Sequence, residues 1–443
     1  MMMETGTSAL SDKQLDQQIG IHTGGINMNT YITDVNPPGE GGHIVLSGNN
    51  LRTLLFLSGK CMPDKASKLF GLYVQILKNA NLDSPQKAVQ ILQEMVSEIK
   101  NDVSSSGTSY VLKRIRARYS VKGFVDEQMD GVAEAKAMEF FLGLAREHWG
   151  TLLGRLERMR HAILGSAREG MILNLTGDKK VLSLISSDVR EFLTKGVPLI
   201  PELDSGSLET SASASLQDFA TTSHPWVMPA MDVMSKDAPV RDEMIVTPTK
   251  VSYVGKGGLL YDLGEQVTGS ATVAAQYLKH GYLYENIRLR NGAYGAWTAL
   301  ASAEGTLVLL SYRDPELGKT LEVFDLAADD LLEDATSGVL AEKGSPAITT
   351  AIIGAIGSLD GSALPPDEVG WESLTQWLKG STVEGRQKWR DEILKTQASD
   401  FTDFAQRLKG WKQPSIAVVG SQFAYDEYSA TAGYPPLEIV ANI

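Results

Sequence analysis

Residues 198–242 constrain the fold of this chain more than any other stretch. They include SGSLETSASASLQDFATTS and the prolines Pro198, Pro201, Pro225, Pro229 and Pro239, with Ser, Thr and Ala dominating the middle. Such a composition reads as a flexible linker, longer than the ordinary connection inside a compact domain. The spacing therefore predicts two units, residues 1–197 and 243–443, joined by the linker 198–242. Both units run strands first, helices next and a strand late, the plan of two α+β domains.

In the first unit Ser11 caps a short polar helix over 11–19. Strands are expected over 27–33 and 42–47, around the Pro37-Pro38-Gly39 loop. Residues 51–57 fit either a third strand or the turn into the next helix. Leu69, Leu72, Tyr73 and Ile76 recur at helical spacing over 65–79, and Ser84-Pro85 opens a helix running to Val103. Further helices are predicted over 110–119, 132–147, 151–166 and 179–193, with a strand over 171–175. Lys113, Arg114, Arg116 and Arg118 make 110–119 the most basic segment, a pattern that reads as a solvated face before a binding patch.

The second unit opens with a strand over 244–254, its middle demoted to an edge or bulge by Pro248. Gly255-Lys256-Gly257-Gly258 lacks the spacing of a phosphate loop. Ser270 caps a helix to Lys279, and 306–310 is a strand. Helices follow over 318–332, 345–357, 371–378, 384–394 and 399–408, and 415–420 is a buried closing strand.

Composition narrows the chemistry. The net charge of −13 over 443 residues argues against nucleic acid, which needs basic surface, and favours basic ligands. Cys61 is the only cysteine, so a disulfide within the chain is impossible; beside Met62-Pro63 it reads as an ordinary thiol. No apolar run approaches the ~20 residues that span a bilayer. The first residues, MMMETGTSALSDKQ, match neither a signal nor a transit peptide, so no targeting segment is expected here. Without a secretion signal, the sequon Asn174-Leu175-Thr176 is discounted.

No two of the six histidines lie within five residues, so the paired-histidine motifs of zinc hydrolases are absent, and one cysteine rules out a cysteine-based zinc site. G-x-S-x-G is absent too. What remains is the stretch 281–315, GYLYENIRLRNGAYGAWTALASAEGTLVLLSYRDP. Arg288 precedes Tyr294, which stands in Asn291-Gly292-Ala293-Tyr294-Gly295, and glycines around a tyrosine suggest backbone packed close to something. An arginine and a phenol presented together can hold a carbonyl oxygen or a developing oxyanion. On spacing alone a plainer reading stands ahead: Arg288 pairs with Glu285 across one turn and Tyr294 fills core.

The run Arg288-Leu289-Arg290-Asn291-Gly292-Ala293-Tyr294-Gly295, followed by Ser311-Tyr312-Arg313-Asp314-Pro315, resembles the C-terminal half of the presequence proteases. These are organellar members of the pitrilysin-type metallopeptidases with an inverted zinc motif. Tyr253-Val254-Gly255-Lys256, Gly269-Ser270 and 351–357 (AIIGAIG) add to the likeness, as do Thr23-Gly24-Gly25-Ile26 and Asn174-Leu175-Thr176. The similarity covers about residues 6–424.

The resemblance implies two pitrilysin-like α+β domains, each a mostly antiparallel sheet with helices on one face, the first incomplete at its N-terminus. It implies zinc in the complete enzyme, bound by an N-terminal half whose ligands are not in this chain, and no metal held here. Arg288 and Tyr294 fall on the family's catalytic and substrate-binding pair, with Gly292 and Ala293 in the same binding loop. The expected partners are that zinc-binding half and basic unstructured peptides, with no nucleic acid and no membrane. The expected place is the mitochondrial matrix or chloroplast stroma. The alternative is a catalytically inactive peptide-binding or scaffold subunit. One departure is Asn291, where the family usually has a glycine; Asn tolerates unusual backbone angles better than most residues.

Overall fold

The computed structural model describes residues 1–35, 44–45, 51–165, 171–196, 229–230, 233, 242–262, 264–361, 364–411 and 413–443. Nearly all of the predicted linker and most of the loop and strand predicted over 36–47 lie outside the described residues.

The first half contains α1 (Asp12–His22), β1 (Ile26–Asp34), β2 (Ile44–Val45), β3 (Leu51–Gly59), α2 (Ala66–Asn79), α3 (Pro85–Ser105), α4 (Gly107–Arg116), α5 (Val121–Asp130), α6 (Val132–Glu147), α7 (Trp149–Gly165), α8 (Lys179–Leu184) and α9 (Ser186–Glu191). The second contains β4 (Glu243–Val246), β5 (Tyr253–Leu259), β6 (Gln266–Val267), α10 (Gly269–Leu278), a π-helix (Lys279–Arg290), β7 (Gly295–Ala301) and β8 (Thr306–Tyr312). It continues through α11 (Leu317–Thr336), α12 (Pro346–Asp360), α13 (Pro366–Lys379), α14 (Val383–Leu394), α15 (Ala398–Lys409), β9 (Ser415–Gly420), α16 (Gln422–Ala430) and β10 (Glu438–Asn442).

Local signals account for several boundaries. Ser11 and Gln14 close a capping box over the start of α1. Pro85 occupies the first turn of α3, where its missing N–H is no loss. Pro248 cannot donate to a ladder, and the strand expected over 244–254 is split there into β4 and β5.

The fold is α+β. In the second half the sheet order is β10-β4-β9-β5-β8-β7, with β4 parallel to both neighbours and the remaining pairs antiparallel. Successive strand residues face opposite sides. Leu307 and Leu309 join the core cluster of Leu278, Phe324, Phe401 and Phe404, on the side of α10, α11 and α15. Val308 and Leu310 join Tyr110, Val111 and Ile115 of α4 on the other. The apolar run TLVLL is buried on both faces, which removes the alternation expected of a half-exposed strand.

The second face is covered by the first half. A Cβ on Gly255 would run into Val111, and one on Gly257 into Ile115 and Val308. These two glycines let α4 lie directly on β5. In the first half, β1 pairs with β3 from Ile26 opposite Gly59 to Asp34 opposite Leu51. Trp371 of α13 packs edge-on against Tyr31 and Phe56 of this hairpin, at 5.5 and 4.9 Å between ring centroids.

Three sequence expectations are corrected. The basic segment is neither a solvated face nor a binding patch. Arg114 bridges Glu127 and Glu243 at 3.0 and 2.6 Å, Arg118 also reaches Glu243, Arg116 pairs with Glu304, and Lys113 pairs with Asp130 at 2.6 Å. Glu127, Glu243 and Glu304 are all buried, so charge there needs these partners. Residues 171–175 form no strand; Asn174 instead donates its side-chain N–H to the carbonyl of Gly370. The helix expected over 179–193 is broken into α8, α9 and a π-turn (Phe192–Gly196). Among the described residues no helix is long and apolar enough to cross a membrane.

Candidate functional site

The site is built where α10 widens into the π-helix. The wider turn keeps Leu283 and Ile287 in the core and leaves Tyr284 and Arg288 facing out. Asn291 ends it in an ordinary helical conformation, φ −91° and ψ −8°, so the position where the family has glycine makes no unusual demand here. Gly292 carries the turn instead, at φ +81°, in the left-handed region that favours glycine. A Cβ there would meet Pro315 only at 3.9 Å, so the requirement is the backbone angle and not close packing. Ala293 is buried and its N–H donates to the Ile287 carbonyl at 3.1 Å. What Ala293 retains for a ligand is its carbonyl.

Tyr294 is 65% exposed, so it does not fill core. Its N–H donates to the carbonyls of Tyr312 at 3.0 Å and Arg313 at 3.4 Å. The Arg288 guanidinium lies 5.4 Å from the Tyr284 ring centre and 5.7 Å from that of Tyr294, held between the two faces. Such contacts are worth ~0.5–1 kcal/mol each at an exposed site. Among the described residues Arg288 has no carboxylate partner, Glu285 included. Its N–H groups and the Tyr294 hydroxyl are left to bind something else.

Arg288 and Tyr294 share a concave surface of about 440 Å³ with His280, Tyr284, Trp297 and Tyr312. Burial, reinforced by neighbouring Lys279, pushes the His280 imidazole below its usual pKa, so it is neutral at pH 7. A short chain of rings lines one wall: Tyr294 meets Tyr312 edge-on at 5.8 Å, and Trp297 lies 6.1 Å from Tyr312. The sequence reading had no role for His280, Tyr284 or Trp297. A signal existed for Trp297: β7 alternates, so Gly295 and Trp297 point to one side beside Tyr294, but the small apolar residues around them concealed the strand.

Zinc does not fit the donors of this chain. Among the described residues no three His, Cys, Asp or Glu side chains are grouped to hold a metal ion. Cys61 is no better placed for chemistry, because burial and nearby Asp64 push its thiol up.

Solved structures share this architecture. The inactive domain of a peptidase M16 from Pseudomonas fluorescens matches 99% of this chain and 88% of its own, with a TM-score of 0.52 at 11% identity. The first half of the periplasmic protease PqqL from Escherichia coli matches 96% and 82%, with a TM-score of 0.53 at 11% identity. The fold is therefore that of the peptidase M16 class.

The family model for the PreP C-terminal domain matches residues 242–421, and that for the domain associated with subfamily C of peptidase M16 matches residues 1–140. Presequence protease 1, chloroplastic/mitochondrial, of Arabidopsis thaliana is 32% identical over 94% of this chain and 34% of its own length. The mitochondrial presequence protease of Emericella nidulans is 25% identical over 95% and 36%, and protein HypA of Clostridium perfringens 23% over 94% and 38%. This chain belongs to the presequence protease-like family, subfamily C of the M16 peptidases. It spans about a third of the length of the curated relatives it matches.

Proposed function

We propose that this chain acts as the C-terminal, non-zinc-binding half of a presequence protease-like metalloendopeptidase that degrades organellar targeting peptides and other short unstructured peptides. The observation that carries the reading is the geometry of Arg288 and Tyr294. An arginine without a carboxylate partner and an exposed phenol lie 5.7 Å apart on the rim of one concave surface.

Both groups donate hydrogen bonds, so together they can hold a peptide carbonyl and stabilise the oxyanion it becomes. Zinc would be carried by a separate N-terminal half. The residues of this chain bind and orient the peptide, with Gly292 and Ala293 presenting backbone beside it. Basic peptides suit the charge of the surroundings. Glu285 lies on the same π-helix as Arg288 and faces Asp330, Glu333 and Asp334; burial and these neighbours push Asp330 up to about 6. The family relation points to the mitochondrial matrix or chloroplast stroma as the place of action.

A second reading is a peptide-binding subunit without chemistry of its own, favoured by the lack of grouped metal donors among the described residues. Two measurements test the proposal. The chain should bind a labelled basic, unstructured 20-residue peptide in fluorescence anisotropy, and Arg288→Ala should weaken that binding. Mixing with a zinc-bearing N-terminal half should produce peptide cleavage that neither part shows alone. Binding without restored cleavage supports the second reading, and no binding at all defeats both.

A further inference from the structure

We infer that Tyr312 is a positioning residue for Tyr294, and that through it the first half of the chain takes part in the site. The link to peptide affinity rests on the function proposed above; the geometric part does not.

A side chain as exposed as Tyr294 samples several rotamers unless something holds it. Two contacts do so here, and both come from Tyr312. The Tyr312 carbonyl accepts the Tyr294 N–H at 3.0 Å, and the two rings meet edge-on at 5.8 Å and 72°. Edge-to-face geometry is the favoured arrangement of such a pair.

Tyr312 is itself held from three sides. Its ring lies 5.5 Å from Tyr253 and 6.1 Å from Trp297, and the Arg313 guanidinium sits 5.3 Å from its centre. Tyr253 is almost wholly buried, and its hydroxyl donates to the carbonyls of Ser104 and Ser105 at 2.8 and 3.2 Å, at the end of α3. The Tyr253 ring covers Gly107, the first residue of α4, where any Cβ would overlap it. A continuous path of contacts thus runs from the α3–α4 junction through Tyr253 and Tyr312 to Tyr294 and Arg288.

The turn after Tyr312 is the second sign that its placement is imposed. Arg313 has φ +49°, a left-handed conformation that residues with a Cβ rarely adopt. The wholly buried Asp314 pins it. Asp314 exchanges two 2.8 Å backbone hydrogen bonds with Ser252, and its carboxylate accepts the Glu316 N–H at 2.9 Å and the Thr320 hydroxyl at 2.6 Å. Strain of this kind persists only where the surroundings over-determine it. Its effect here is to aim the Tyr312 and Arg313 carbonyls at the Tyr294 N–H.

The test labels the chain with 3-fluorotyrosine and assigns the Tyr294 fluorine resonance by its loss in Tyr294→Phe. Tyr312→Met keeps the volume and removes the ring. We expect it to move the Tyr294 resonance to the position of free fluorotyrosine and to weaken the basic 20-residue peptide about five- to tenfold, the ratio that losing one aromatic pair corresponds to. Tyr312→Phe keeps the ring and should retain both. Tyr312→Leu serves if the methionine variant does not fold. An unmoved Tyr294 resonance in a folded variant overturns the inference. A moved resonance with unchanged affinity overturns its link to the site. If the wild-type chain binds no peptide, the proposed function fails, and the fluorine resonance still decides the positioning.

Discussion

Arg114 donates from both Nε and Nη2 to a single oxygen of Glu243, Oε2, at 2.9 and 2.6 Å. Arg114 belongs to α4 and Glu243 opens β4, so this contact joins the two halves of the chain. The third partner, Glu127, is held from α5, and burial pushes its carboxyl up while Arg114 pulls it back. Glu243→Ala would leave Arg114 and Arg118 short of their shared partner. Removing one member of a buried charged cluster costs about 3–5 kcal/mol, and equilibrium denaturation should show that loss. A change below about 1 kcal/mol would mean that solvent already screens the cluster.

Stability should also depend on pH through Asp34. Burial, partly offset by Lys122 and Arg116, raises its carboxyl from 3.8 to about 6. The folded state therefore holds this proton over a window in which the unfolded chain has released it. The sign follows: the contribution favours folding below the unfolded pKa and is lost as pH rises to about 6. Asp34→Asn should match wild type near pH 4 and exceed it by about 1–2 kcal/mol at pH 7. Thermal melts across that range read the difference directly, and a gap that does not widen with pH counts against the assignment.

Tyr294→Phe removes one hydroxyl and keeps the ring on Tyr312. Because that hydroxyl stands on an exposed side chain, stability should stay within about 0.5 kcal/mol of wild type. In the enzyme reconstituted with a zinc-bearing half, turnover should fall by ~10²–10³, the usual cost of one oxyanion donor. Arg288→Ala should lower turnover at least as far and raise KM as well. Rates per folded molecule equal to wild type in both variants would remove these residues from the mechanism.

Limited proteolysis should cut first within residues 198–242, where the composition carries no pattern of apolar burial. The two fragments should nevertheless elute together. α4 lies on the sheet of the second half, Arg114, Arg116 and Arg118 pair with Glu243 and Glu304, and Trp371 packs on β1 and β3. Separation of the fragments on a sizing column under native conditions would show that these contacts are too weak to hold the halves without the peptide link.

Much of the helical content was legible because its signals are local. Ser11 with Gln14, Pro85 at the start of α3, and the apolar period of α2 and α11 each act within a few residues. The same holds for β9, a short apolar run that is buried along its whole length. β7 and β10 were not anticipated, because their side chains are small or half-buried and only pairing with β8 and β4 makes them strands. α5 escaped notice because its polar Asp126, Glu127 and Gln128 mask a buried side built on Val121, Phe124 and Val125.

By itself the sequence determined the α+β class, the order of most elements, the missing zinc motifs and the family, since composition, spacing and short motifs are properties of neighbouring residues. It also placed Arg288 and Tyr294 six positions apart around a turn that only Gly292 can make. Only the tertiary structure decided that the four basic residues of 110–119 face carboxylates and not water, and that the first half covers one face of the second half's sheet. It alone set Tyr294 on Tyr312 at the end of a path leading back to Gly107. Most of these partners lie far apart in the chain or meet across separate elements, and which of them come together depends on the packing of the whole core, not on any local preference.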